Sequence, residues 1–230
     1  MRIFLQIAVL CAVAAPAGAS TRNFGITSFE KVRVDGPFKV TVTTGVAPFA
    51  RANGSSEALD RVAVDVEGNT LIVHSNVDSW SGYPGQDVGP VEVVIGTHDL
   101  SAAWLNGSGT LSIDRVRGLS FGLSVQGSGA AEIAQADVDQ LNLNIMGTAS
   151  ARLTGQAKKL TAIIRGISSL DGAALSSHDA TLGIDGSGTA AANVSDTVTV
   201  DASGPATVRL SGKPSCTLRV SGSATVSGCR

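Results

Sequence analysis

The chain has 230 residues, 43% of them hydrophobic but only 4% aromatic and 16% charged, with 27 Gly against 7 Pro and a formal net charge of −2. So few charges exclude a coiled coil, a disordered tail and a long solvated helix, and without a basic stretch nucleic acid is not an expected partner. Ala, Gly, Ser, Thr and Val dominate, which is the composition of a β-rich repeat with small residues at its turns.

At the N-terminus, Met1-Arg2 precede an apolar run from Ile3 to Ala15, then Pro16-Ala17-Gly18-Ala19-Ser20. A short positive region, an apolar stretch too short to span a bilayer comfortably and an Ala-x-Ala site predict a secretory leader over residues 1–19. Cys11 leaves with the leader, and Leu10 directly before it is wrong for a lipid-anchor site. No later apolar run is long enough for a membrane helix, so no span is expected in the mature chain. The expected location is the periplasm, the outer membrane surface or the medium.

Residues 20–100 read as an N-terminal β region. Alternation predicts strands at Glu30–Val34, Phe38–Thr43, Val62–Val66, Thr70–Ser75 and Val91–Ile95, with turns at Asp35-Gly36-Pro37 and Glu67-Gly68-Asn69. Ser55 is placed to cap one helical turn through Asp60. Residues 78–90 are the least regular segment and read as a surface loop carrying Trp80 and Tyr83.

From residue 101 to 230 the chain repeats. Small-residue corners recur at Gly107, Gly127, Gly147, Gly166, Gly186, Ala202 and Gly222, in steps of 20, 20, 19, 20, 16 and 20. Two positions before each corner stand Leu105, Val125, Ile145, Ile164, Ile184, Val200 and Val220, and the positions four before and four after are apolar throughout. A unit this short cannot bury its own apolar face, but stacked units about 4.8 Å apart do so column on column. The expected fold is all-β: a parallel β-helix with rungs of ~20 residues, preceded by a less regular strand region. A propeller would need longer blades and more aromatics. Cys216 and Cys229 remain in an oxidising compartment and are expected to pair with each other.

The layout resembles a known family. Phe29-Glu30-Lys31-Val32-Arg33-Val34 leads to Gly36-Pro37-Phe38-Lys39-Val40-Thr41-Val42, then to Gly68-Asn69-Thr70-Leu71-Ile72-Val73 and the serial Gly-Ser-Gly corners. Across roughly 29–229 this is similar to the putative auto-transporter adhesin, head GIN domain family of exported bacterial proteins. The resemblance implies a β-helix of pectin-lyase-like shape and an adhesive role. It brings no catalytic residues with it.

Outward positions of the strand leading into each corner form the natural binding surface. One position before the corner the column reads Gln126, Met146, Arg165, Asp185, Asp201 and Ser221. That register puts Asp185 and Asp201 on adjacent rungs about 5 Å apart with Arg165 one rung beyond. Such a pair suits glycoside cleavage, Ca²⁺ or pairing with Arg165, and a solvated ladder of surface charge is the expected reading. Thr161, Thr181, Thr197 and Thr217 are expected to make a structural hydroxyl ladder. Trp80 and Tyr83 are suited to stack on sugar rings or anchor a protein, against the plainer reading of a loop packed on the N-terminal strands. His74, His98 and His178 lack metal-ligand spacing, and neither a metal nor a cofactor is expected. Together these features point to an exported, non-catalytic module that presents a polar solenoid face to a glycan or an envelope or surface protein. The other readings are a polysaccharide-cleaving enzyme using Asp185 and Asp201 with Arg165, and a passive envelope scaffold.

Overall fold

The computed structural model describes residues 20–76 and 89–230. The expected leader and the loop aromatics Trp80 and Tyr83 lie outside the described residues. Before the repeat come β1 (Ser20–Phe24), β2 (Lys31–Asp35), β3 (Lys39–Thr44), β4 (Phe49–Gly54), α1 (Ser56–Asp60), β5 (Val62–Glu67), β6 (Thr70–Ser75) and β7 (Glu92–Thr97). The repeat comprises β8 (Ala102–Gly107), β9 (Thr110–Ile113), β10 (Val116–Gly127), β11 (Ala130–Gly147), β12 (Ser150–Gly166), β13 (Ser169–Gly186), β14 (Thr189–Ser203), β15 (Thr207–Ser211), β16 (Ser215–Val220) and β17 (Thr225–Ser227).

The chain is a parallel β-solenoid of about six turns with irregular N-terminal strands. Strands β11 to β13 are 17 or 18 residues long because each bends around the solenoid and pairs with the next turn along its length. Three faces result. The first carries β2, β8 and the segments ending at Gly127, Gly147, Gly166 and Gly186; the second carries β3, β9 and the segments starting at Ala130, Ser150, Ser169 and Thr189. The third is short, as in Val116–Gly118 against Ala136–Val138, and the register slips next to it between Ile133 and Ala136.

Alternation sends every second side chain inward. On the first face Val32, Ala103, Leu123, Leu143, Ala162, Leu182 and Val200 form one buried column, and Val34, Leu105, Val125, Ile145, Ile164, Ile184 and Ala202 another. On the second, Val40, Leu111, Ala131, Ala151, Leu170, Ala190 and Val208 stack likewise. The first-to-second corner is a stack of glycines. Gly127 and Gly147 have φ of 106° and 98°, and a Cβ on either would lie 2.6 or 2.5 Å from the carbonyl oxygen of the glycine one rung back. Only glycine meets both demands.

The structure corrects one step of the repeat. Ile184 pairs with Ala202 and Asp185 with Ser203, so Gly204, at φ 80°, heads the corner after Gly186, and the last two steps are each 18 residues. The expectation had started that corner two residues early, at Ala202, because Ala202-Ser203-Gly204 copies the small-residue composition of its neighbours. A slip of two preserves the inward and outward parity, so apolar columns stayed apolar and hid it. The threonine ladder is accordingly Thr161, Thr181, Thr199 and Thr217, not Thr197.

At the N-terminal end β2 and β3 sit in register with β8 and β9, so a rung precedes residue 101. Beyond it the first face continues through β6 to antiparallel β5, and the second through β7 to antiparallel β4 and β1. Helix α1 is capped by Ser55, whose hydroxyl accepts from the Ala58 amide, and its Ala58 and Leu59 are buried. At the C-terminal end Cys216 and Cys229 are joined by a disulfide across a 13-residue separation.

Candidate functional site

Three outward columns cover the first face. The outer one runs Ala102, Gly122, Asn142, Thr161, Thr181, Thr199, Thr217; the middle one Trp104, Ser124, Asn144, Ile163, Gly183, Asp201, Arg219; the one beside the glycine corner Asn106, Gln126, Met146, Arg165, Asp185, Ser203. Asp201 therefore stands in the middle column, opposite Gly183, and not in the column of Asp185. The carboxylates are diagonal neighbours, and both are exposed. Asp185 accepts a hydrogen bond from the Ser203 hydroxyl at 2.9 Å. Arg165 is the direct register partner of Asp185, yet among the described residues it forms no ion pair with either carboxylate. The two carboxylates thus lie on an open sheet, offset by one column and one rung.

On the same face β2 sets Lys31, Arg33 and Asp35 beside Ala102, Trp104 and Asn106, with Arg33 paired to Asp35 at 2.7 Å, and the three rungs that follow β2 are of another kind. Ala102, Trp104, Asn106, Gly122, Ser124, Gln126, Asn142, Asn144 and Met146 include no charge. The other faces carry charge ladders that pair rung to rung: Lys39 with Glu92 at 2.8 Å, Arg152 with Asp171 at 3.0 Å and Lys158 with Asp139 at 2.8 Å. Those charges are already satisfied by neighbours. The amides of the first face are only partly so: Asn106 donates to Asp35 at 2.6 Å, while Gln126 and Asn142 make weak 3.5 and 3.4 Å bonds to Ser124 and Ser120.

Within this uncharged area lies a shallow trough of 310 Å³, lined by Trp104, Gly122, Ser124, Asn142, Asn144 and Ile163 among others. Its floor is low because Gly122 has no side chain and Ser124 a short one. Trp104 stands at one end, partly exposed, and Ile163, 42% exposed, at the other. The Asn144 side-chain oxygen is buried with no hydrogen-bond partner among the described residues. An unmet acceptor of that kind costs about 1–3 kcal/mol.

Trp104 is the residue that the sequence reading passed over in favour of Trp80 and Tyr83. The signal was present: in Ala103-Trp104-Leu105 alternation buries Ala103 and Leu105 and turns the tryptophan outward. No group of His, Cys, Asp or Glu among the described residues is arranged to hold a metal ion.

The model of the family described as putative auto-transporter adhesin, head GIN domain matches residues 28–214. The chain belongs to this family. A putative adhesin from Bacteroides fragilis NCTC 9343 has the same fold at 17% identity, with a TM-score of 0.78 over 91% of this chain and 95% of that one. A putative adhesin from Parabacteroides merdae ATCC 43184 and a putative lipid binding protein from Parabacteroides distasonis ATCC 8503 each superpose at a TM-score of 0.72 and 16% identity, over 92% of this chain and 96% of theirs. Identities this low speak to the fold alone. No curated protein matches the chain. Among the described residues no helix is long and apolar enough to cross a membrane.

Proposed function

We propose that this head GIN domain protein is an exported, non-catalytic adhesion module that binds a glycan on the uncharged part of its first face. The observation that carries the reading is Trp104: an outward tryptophan on a flat strand surface, with serine and amide side chains on the rungs after it and, on the rung before it, Arg33 held by Asp35. An aromatic face packs against the C–H face of a sugar ring, and neighbouring amides hydrogen-bond its hydroxyls. The family's adhesin description and the leader-like residues 1–19 support display outside the cytoplasm. Trp80 and Tyr83 remain proposed auxiliary contacts, and Arg165, Asp185 and Asp201 a charged margin beyond the trough.

Co-sedimentation with a panel of envelope and extracellular polysaccharides, scored also for newly released reducing or unsaturated ends, tests this directly. Retention without release is expected, lost in Trp104→Ala and kept in Asp185→Asn. Release of ends that disappears in Asp185→Asn would make the protein an enzyme instead.

A further inference from the structure

The trough has a direction. Trp104, Ser124, Asn144 and Ile163 are consecutive members of one column, so the trough crosses four rungs along the solenoid axis rather than along a strand. Rungs repeat every ~4.8 Å, which is the scale of one pyranose unit in an extended chain. The two ends of the column are apolar and the two middle members polar. Beside the middle members lie Gly122 and Asn142 on one side and Gln126 and Met146 on the other.

We infer that the first face takes an extended, uncharged polysaccharide lying parallel to the solenoid axis, which rests on the glycan reading above. One ring stacks on Trp104. The next lies in the space left by Gly122 and Ser124, a third meets the amides of Asn142 and Asn144, and a fourth ends against Ile163. An outward turn of the Asn144 amide would bring its oxygen, buried and without a donor from the protein, to a hydroxyl of the third ring. Neutral glycan is the class that fits, because no residue lining the trough carries a charge; the charges of this face lie outside it, Lys31 and Arg33 one rung before Trp104, and Arg165, Asp185 and Asp201 at and beyond the Ile163 end. Gly122 offers a clean obstruction. A Cβ there would touch only the Ala102 methyl, at 3.9 Å, and its φ is not in the left-handed region, so a larger side chain fills the trough without straining the strand.

The test is binding of the purified full chain to linear neutral oligosaccharides of one to six units, drawn from several linkage types, with a uronate series beside them. For the bound series affinity rises by about tenfold or more from one unit to three and levels off at four, one per rung. Gly122→Val weakens the tetramer by about tenfold or more at an unchanged melting temperature, and Thr199→Val, outside the trough, leaves affinity as it was. Equal affinity for the monomer and the tetramer overturns the axial chain while leaving a glycan site at Trp104. Selective binding of the uronates overturns the neutral class. No binding to any member overturns this inference and the glycan reading with it.

Discussion

His74 is next to last in β6, with its Nε2 2.9 Å from Asp65 Oδ2 and its Nδ1 3.1 Å from the Ser75 carbonyl. The Asp65 hydrogen bond raises the imidazole pKa above its ordinary 6.5, with partial burial opposing and the Ser75 carbonyl assisting. A raised folded pKa means that the protonated form is favoured by folding, so this pair stabilises below about pH 6.5 and the effect is lost as pH rises through the folded value. With both partners exposed by more than a third the contribution is small. An imidazole NMR titration is expected to place His74 above 6.5 and to return it toward 6.5 in Asp65→Asn; a His74 that titrates at or below 6.5 in the native protein contradicts the pairing. Single residues were legible in the sequence when their role was local. Ser55 as a cap and the glycine turns were readable because capping and positive φ depend on immediate neighbours. Asp201 was not, because its position on the face depends on the length of the whole turn, 18 residues, that separates it from Gly183.

At the scale of the rung, stability is a sum over stacked neighbours. Leu182 and Leu218 occupy the same inward column, yet Leu182 is fully buried between Ala162 and Val200 while Leu218 is 44% exposed on the last rung, where Val220 is 46% exposed. Truncation costs follow burial: Leu182→Ala is expected to lose about 2–5 kcal/mol and Leu218→Ala less than about 1.5 kcal/mol. Urea unfolding of the two variants checks this, and equal losses would mean that the last rung is covered. The disulfide closes that rung and contributes about 2–4 kcal/mol through the shortened loop. Rungs were visible in the sequence because every turn repeats a glycine that cannot carry a side chain and a column that cannot be polar. The N-terminal strands β1 and β4 were not, because antiparallel edge pairing carries no period, and Ser20–Phe24 and Phe49–Gly54 lack clean alternation.

For the whole molecule, the solenoid turns one strand pattern into a flat sheet several rungs long, and function depends on which outward columns are left without partners. The other two faces pair several of their charges from rung to rung; the first face, around Trp104, presents amides, a hydroxyl and an aromatic ring with little internal pairing. The sequence contains two tryptophans, so Trp80→Phe leaves Trp104 as the sole indole reporter. The decisive measurement is the emission spectrum of that variant as a glycan retained in co-sedimentation is added. A saturable blue shift, with protection from a soluble quencher, is the predicted result, since a stacked sugar removes water from the exposed part of the ring. Retention of the glycan with unchanged Trp104 emission would place binding elsewhere and contradict the account.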